Sequence, residues 1–179
     1  MDVRHPEIVE KSVDAIESEF GRLPNVVINN AAGNFIMALE RLSPNAVRTV
    51  VDIVLLGAVN VTTEIGRCVI NQKKDGCSFF SISTPYARSG GPFLLPSAMS
   101  KAGVENMTKS LSAEWAKHGM RFNVIAPGPI PTKIIDLNGG QQFLNHGSSF
   151  GDFLQNLKSS EWPKLEELIG SRTGKSKAN

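Results

Sequence analysis

Apolar residues recur at helical spacing between positions 5 and 20, as Val9, Val13, Ile16 and Phe20, and Gly21 follows as a stop signal. Asn25 to Asn30 is a short run rich in β-branched residues and predicts a strand buried on both faces. Ser43-Pro44 predicts the opening of a second helix, with serine as N-cap and proline in the first turn. Its apolar stripe runs Val47, Val50, Val51, Val54, Leu55, Ala58, Val61, Ile65, Val69. Cys77 to Ile82 predicts a second strand, followed by a glycine-bearing loop, Ser89-Gly90-Gly91-Pro92. Residues 97–117 predict a third helix, with Val104, Met107, Leu111 and Trp115 on one side, and Arg121 to Ala126 a third strand. Helices and apolar strands therefore alternate at βαβ spacing. The fold class expected is α/β, a parallel sheet with helices on its faces. From Thr132 the pattern weakens: Ile134 to Leu137 reads as a short strand, Gly139 to Gly151 as loop, and 160–169 as a terminal helix.

Composition narrows the function classes. A chain of 179 residues with 41% hydrophobic and 20% charged residues suits a single globular domain. A formal charge of +2, with no basic run beyond Lys73-Lys74, gives no footprint for nucleic acid. The most apolar stretch, Val50 to Val61, carries Asp52 and Asn60 and falls short of the ~20 residues of a membrane span, so none is expected. Met1-Asp2-Val3-Arg4 has no targeting pattern, and the final Ser-Lys-Ala-Asn is not a peroxisomal signal. Cys68 and Cys77 lack metal or redox spacing and are expected to be packed thiols.

In open parallel sheets, ligands bind beyond the carboxyl ends of the strands. Three polar clusters fall there: Asn29-Asn30-Ala31-Ala32-Gly33-Asn34, then Ser83-Thr84-Pro85-Tyr86, then Pro127-Gly128-Pro129-Ile130-Pro131-Thr132. Tyr86 is the chain's only tyrosine. Ser97 and Lys101 lie four apart on one helix face. A lysine there can hold a cofactor sugar and lower the pKa of a nearby hydroxyl. Taken singly, each has a plainer explanation. Asn-Asn forms turns, Ser-x-x-x-Lys is commonly a solvated face, and a lone tyrosine is commonly a half-buried ring with a wet hydroxyl. Their order along the chain, each after a predicted strand, carries the signal.

With these residues in place the sequence resembles the short-chain dehydrogenase/reductases, a superfamily of Rossmann-like folds. Asn29-Asn30-Ala31-Ala32-Gly33 resembles the family's strand-end motif and Pro127-Gly128 its later turn. Most members have Tyr-x-x-x-Lys. Here Ser97 holds the tyrosine's place in Pro96-Ser97-Ala98-Met99-Ser100-Lys101, and the tyrosine sits earlier, in Ser83-Thr84-Pro85-Tyr86-Ala87. That displacement resembles the 2,4-dienoyl-CoA reductases, and Val26 to Phe35, Glu40 to Asn45 and Lys101 to Pro129 resemble the mitochondrial type. The resemblance implies NADPH as cofactor, a fatty acyl-CoA thioester as substrate, a mitochondrial location and a homo-oligomer built on the helices at 43–72 and 97–117. It implies that Tyr86 and Asn34 donate to the thioester oxygen, with Ser97 in support, and that Lys101 holds the nicotinamide ribose. Asp2 would contact the adenine, Asn30, Ala31, Pro127 and Gly128 would line the cofactor site, and Ile130 and Thr132 would face the nicotinamide amide.

The chain also departs from the family. The sequence contains no Gly-x-x-x-Gly-x-Gly or Gly-x-Gly-x-x-Gly phosphate loop. The resemblance thus implies a partial, doubly wound parallel sheet without the family's first three strands, the strand Val26 to Asn30 left as an apolar edge. Residues 1–179 then form a single incomplete domain. After Lys133 the sequence passes to Ile134-Ile135-Asp136-Leu137-Asn138-Gly139-Gly140, which resembles the family's last strand, so about 50 residues, the length of one or two βα units, are missing and 134–179 is a tail joined across a gap. Leu56 stands where the family has an asparagine that helps hold a proton-relay water, which implies reduced turnover. Two further readings stay open: a catalytically silent chain acting by association with full-length subunits, and another acyl-CoA or carbonyl reductase of the superfamily.

Overall fold

The computed structural model describes residues 1–73 and 76–128. The chain divides into two compact units, 1–127 and 128–179, and the elements below belong to the first. The strand, loop and helix expected beyond residue 133 lie outside the described residues.

Helix α1 spans Pro6–Phe20 and ends at Gly21, whose φ of 66° places it in the left-handed region that glycine adopts without a steric penalty. Strand β1 is Val26–Asn29. Ser43 caps the next helix as expected: its Oγ accepts from the Ala46 N–H at 3.1 Å. That helix runs continuously as α2 (Pro44–Val51), a π turn (Asp52–Leu56) and α3 (Gly57–Asn71). Strand β2 is Ser78–Ile82, α4 is the single turn Tyr86–Ser89, α5 is Leu95–Trp115 and β3 is Arg121–Ile125. The helix Pro44–Asn71 is long and apolar enough to cross a membrane by length and composition, beyond the shorter stretch considered from the sequence. Its stripe of Val50, Val54, Ala58, Val61, Ile65 and Val69 is nevertheless buried, as in a core helix.

The strands form a parallel sheet in the order β1-β2-β3, with Val27 opposite Phe79 and Phe79 opposite Phe122. The expected α/β class is thus present. Sequential parallel strands joined by right-handed crossovers place both connecting helices on one face. That face holds the core: Val9 and Val13 of α1, Val61, Ile65 and Val69 of α3, and Val27 and Phe79 of the sheet, with Trp115 and Phe122 packed against them. The Phe79 and Phe122 rings stack at 4.8 Å.

One expectation is corrected. β1 is not buried on both faces: Val27 is covered, but Val26 is 54% and Ile28 is 64% exposed. Successive residues of a strand point to opposite faces, and among the described residues the helices cover one. β1 is also an edge of the three-stranded sheet, as the resemblance implied.

Gly66 of α3 sits directly against α5: an added Cβ would lie 2.1 Å from the Trp115 ring. A planar indole against a packed strand cannot yield cheaply. Gly66→Ala is therefore expected to destabilise the fold by ~1–3 kcal/mol, the usual cost of overpacking, seen as a lower urea midpoint followed by tryptophan emission. An unchanged midpoint would show that Trp115 has room to move.

Candidate active site

The carboxyl ends of β1, β2 and β3 deliver the first two polar clusters, and Pro127 and Gly128 of the third, to one edge of the sheet. Asn29 is tied back to α3, its Nδ2 donating to Thr62 Oγ1 at 2.9 Å, so the main chain leaves β1 in a fixed direction at Asn30 and Ala31. Lys101, one turn beyond Ser97 on α5, is buried, and its Nζ donates to the carbonyl of Ile82, the last residue of β2. Burial lowers its pKa from the ordinary lysine value.

Asn29, Asn30, Ala31, Ile82 and Lys101 line one cavity of about 270 Å³, together with Met1, Val3 and residues of α3. Asn60 Nδ2 holds the Val3 carbonyl at 3.0 Å, and Gly57 admits Val3 where an added Cβ would meet it at 2.5 Å. The N-terminal segment is thereby seated over α3. Asp2 does not line this cavity. Its carboxylate pairs with the Arg4 guanidinium at 2.5 Å, and that hydrogen bond holds its carboxyl well below the usual range.

The remaining predicted residues occupy a neighbouring stretch. Tyr86 opens α4 and is half-buried, Ser97 lies in the first turn of α5 and is half-buried, and Asn34 is exposed in the segment leaving β1. The Met37 N–H donates to the Phe93 carbonyl at 3.2 Å and joins the chain that follows Asn34 to the loop between Tyr86 and Ser97. Phe93 makes this bond with φ at 64°, an uncommon conformation for a residue with a bulky side chain. Pro127 and Gly128 follow the end of β3. Ile130 and Thr132 lie outside the described residues. Leu56 closes the π turn and is 45% exposed, an apolar side chain with no hydrogen-bonding group.

Two residues, Glu105 and Arg88, escaped the sequence reading. Glu105, one turn beyond Lys101, is 5% exposed. It accepts from Ser83 Oγ at 2.8 Å and from Arg88 Nε at 2.9 Å. Burial opposes its charge, but the Arg88 and Ser83 hydrogen bonds outweigh that and hold its carboxyl below the ordinary range. The signal was the spacing: Ser97, Lys101 and Glu105 repeat every four residues along one helix face.

Comparison with known proteins adds the lineage. A family model described as enoyl-(acyl carrier protein) reductase matches residues 1–150. The chain belongs to the short-chain dehydrogenase/reductase family. An oxidoreductase of Caenorhabditis elegans, F53C11.3, named as uncharacterized, is 48% identical over 228 aligned positions, covering 99% of this chain and 72% of that protein. The alignment is longer than the chain's 179 residues, so that relative contains residues with no counterpart here. A second protein of that organism, named "Probable 2,4-dienoyl-CoA reductase 3", is 46% identical over 229 positions, covering 99% of this chain and 74% of its own length. Among solved structures, a short-chain dehydrogenase of Bacillus anthracis superposes with a TM-score of 0.69 at 42% identity. It is matched over 72% of this chain, which spans 51% of that one.

The buried lysine gives a measurable consequence. Its folded-state pKa lies below its unfolded value, so the unfolded chain binds the proton more tightly. The resulting penalty is full below the folded-state pKa and is relieved as pH rises through the window up to the ordinary lysine value. Lys101→Met is expected to raise the thermal midpoint at neutral pH and flatten the alkaline rise in stability, since an apolar side chain replaces a desolvated charge. A lower midpoint for the variant would mean that the Ile82 bond outweighs desolvation.

Proposed function

We propose that the chain carries part of the site of an NADPH-dependent 2,4-dienoyl-CoA reductase that acts on fatty acyl-CoA thioesters in a fatty-acid-oxidising organelle, the mitochondrion by resemblance. The observation that carries the reading is the division of labour around Lys101. The only tyrosine leaves β2 at the head of α4, while Ser97 takes the position one turn before the buried lysine. The relative named "Probable 2,4-dienoyl-CoA reductase 3" and the shared family support it.

The cavity tests the fit of a nicotinamide cofactor. Its volume of about 270 Å³ falls just below the ~300–1,000 Å³ of small-molecule sites and suits one end of a dinucleotide. Asn30, Ala31 and Val3 form its walls, and the Lys101 ammonium, with one hydrogen accepted by Ile82, has two more to offer a ribose diol. A reduced nicotinamide bound there supplies hydride. The chain's own residues act on the other partner. Tyr86 and Asn34 are the donors to the thioester oxygen, where negative charge grows as the diene is reduced; such donors act because they are fixed before the charge appears. Ser97 supports that site, and water protonates the dienolate to give a 3-enoyl-CoA. Asp2, engaged by Arg4, reaches the adenine only by exchanging that partner.

Fluorescence titration of the purified chain with NADPH tests the cofactor half of the reading. Micromolar binding is expected if the cavity suffices, and its absence at millimolar NADPH from a soluble sample would confine the family name to ancestry. Where dienoyl-CoA turnover is measured, Tyr86→Phe is expected to cost ~2.7–4 kcal/mol of barrier, about 10²–10³ in kcat. An unchanged kcat removes Tyr86 from the proposed role.

A second reading rests on Val26 and Ile28, exposed on an edge strand. Such an edge pairs readily with another chain, and a catalytically silent protein acting by association with full-length subunits would use it. Co-purification with intact subunits supports that reading, and NADPH-dependent turnover by a monomer excludes it.

A further inference from the structure

We infer that Glu105 is a positioning residue for Tyr86: one buried carboxylate on α5 grips the chain on both sides of the tyrosine, through Ser83 before it and Arg88 after it. The functional consequence rests on the reading of Tyr86 proposed above; the mechanical claim does not.

α4 is one turn, Tyr86–Ser89. A single turn fixes several dihedral angles for one hydrogen bond and does not persist without outside support. Its entry is anchored, because the Ser83 N–H donates to the Ile125 carbonyl of β3 at 2.8 Å while Ser83 Oγ reaches Glu105. Its far side is anchored by the Arg88 Nε, which binds the second Glu105 oxygen. Between those two points lies the tyrosine, and its ring passes close enough to Gly91 that an added Cβ there would meet Cδ1 at 3.0 Å.

A buried carboxylate is costly unless its oxygens are satisfied. A leucine at 105 would fill the same space without that cost. The hydrogen-bond partners of Glu105 are the two residues that bracket Tyr86, so the charge holds the turn in place. Arg88 contributes little as a surface ion, since its side chain is 70% exposed. Its value lies in the Nε hydrogen bond to the buried Glu105 carboxylate.

The unique tyrosine allows a direct test. The full chain labelled with 3-fluorotyrosine gives one ¹⁹F resonance, that of Tyr86. Glu105→Gln and Arg88→Gln are each expected to move that line at least about half of the way toward its urea-unfolded position, or to split it. The double variant is expected to move it no further than Glu105→Gln alone, because the link that Arg88→Gln breaks is one of the two that Glu105 makes. In a Trp162→Phe background the emission of Trp115, which packs against the core, is expected to stay unchanged. If Glu105→Gln unfolds, Arg88→Gln carries the test, since its side chain is mostly in solvent. An unmoved line in Arg88→Gln overturns the inference, as does a shift that occurs only together with a change in tryptophan emission, which would make Glu105 a general core residue. If the line moves as expected but Tyr86→Phe leaves turnover unchanged, the positioning stands and the catalytic reading of Tyr86 falls.

Discussion

Right-handed crossover is the constraint on which the rest of this structure depends. Three parallel strands taken in sequence order force both connecting helices to the same side of the sheet. The core is consequently one layer of valines and isoleucines between α1, α3 and the sheet, with Trp115 bringing α5 down onto Phe122. The parallel direction of the strands brings all three carboxyl ends to one edge, so residues as distant in sequence as Asn30 and Lys101 line a common cavity. The arrangement of the site follows from chain topology before any side-chain chemistry is considered.

α5 then sets the chemistry. Along one face it carries Ser97, Lys101 and Glu105, at successive turns. Two of these are buried ionisable groups, and each is answered by the end of β2: the Ile82 carbonyl takes the ammonium and the Ser83 hydroxyl binds the carboxylate. Neither charge is there for stability, since burying one is unfavourable beside an apolar residue of the same shape. Opposite charges one turn apart instead give two fixed points, one at the end of β2 and one at the tyrosine turn; on the function proposed above, the first is where a cofactor sugar would be held.

Much of this was legible in the residues. Periodicity located α1, α5 and the three strands to within two residues at each end, because strong apolar patterns and clear stop signals agree there. The Ser43 cap was readable because serine followed by proline has a local meaning. The exposure of Val26 and Ile28 was not, since a β-branched run looks the same whether its second face is covered or bare; coverage depends on elements distant in sequence. The Asp2–Arg4 pair and the grip of Glu105 were hidden for a related reason. Polar residues announce that they can bond, and only the fold says with what.

The bare edge of β1 changes what stability means for this chain. Among the described residues β1 is hydrogen-bonded on one side only, to β2. Any strand that binds its other side adds RT ln(1 + [L]/Kd) to the folded state. The persistence of the fold is then a function of concentration and company, set by how often a complementary strand is met.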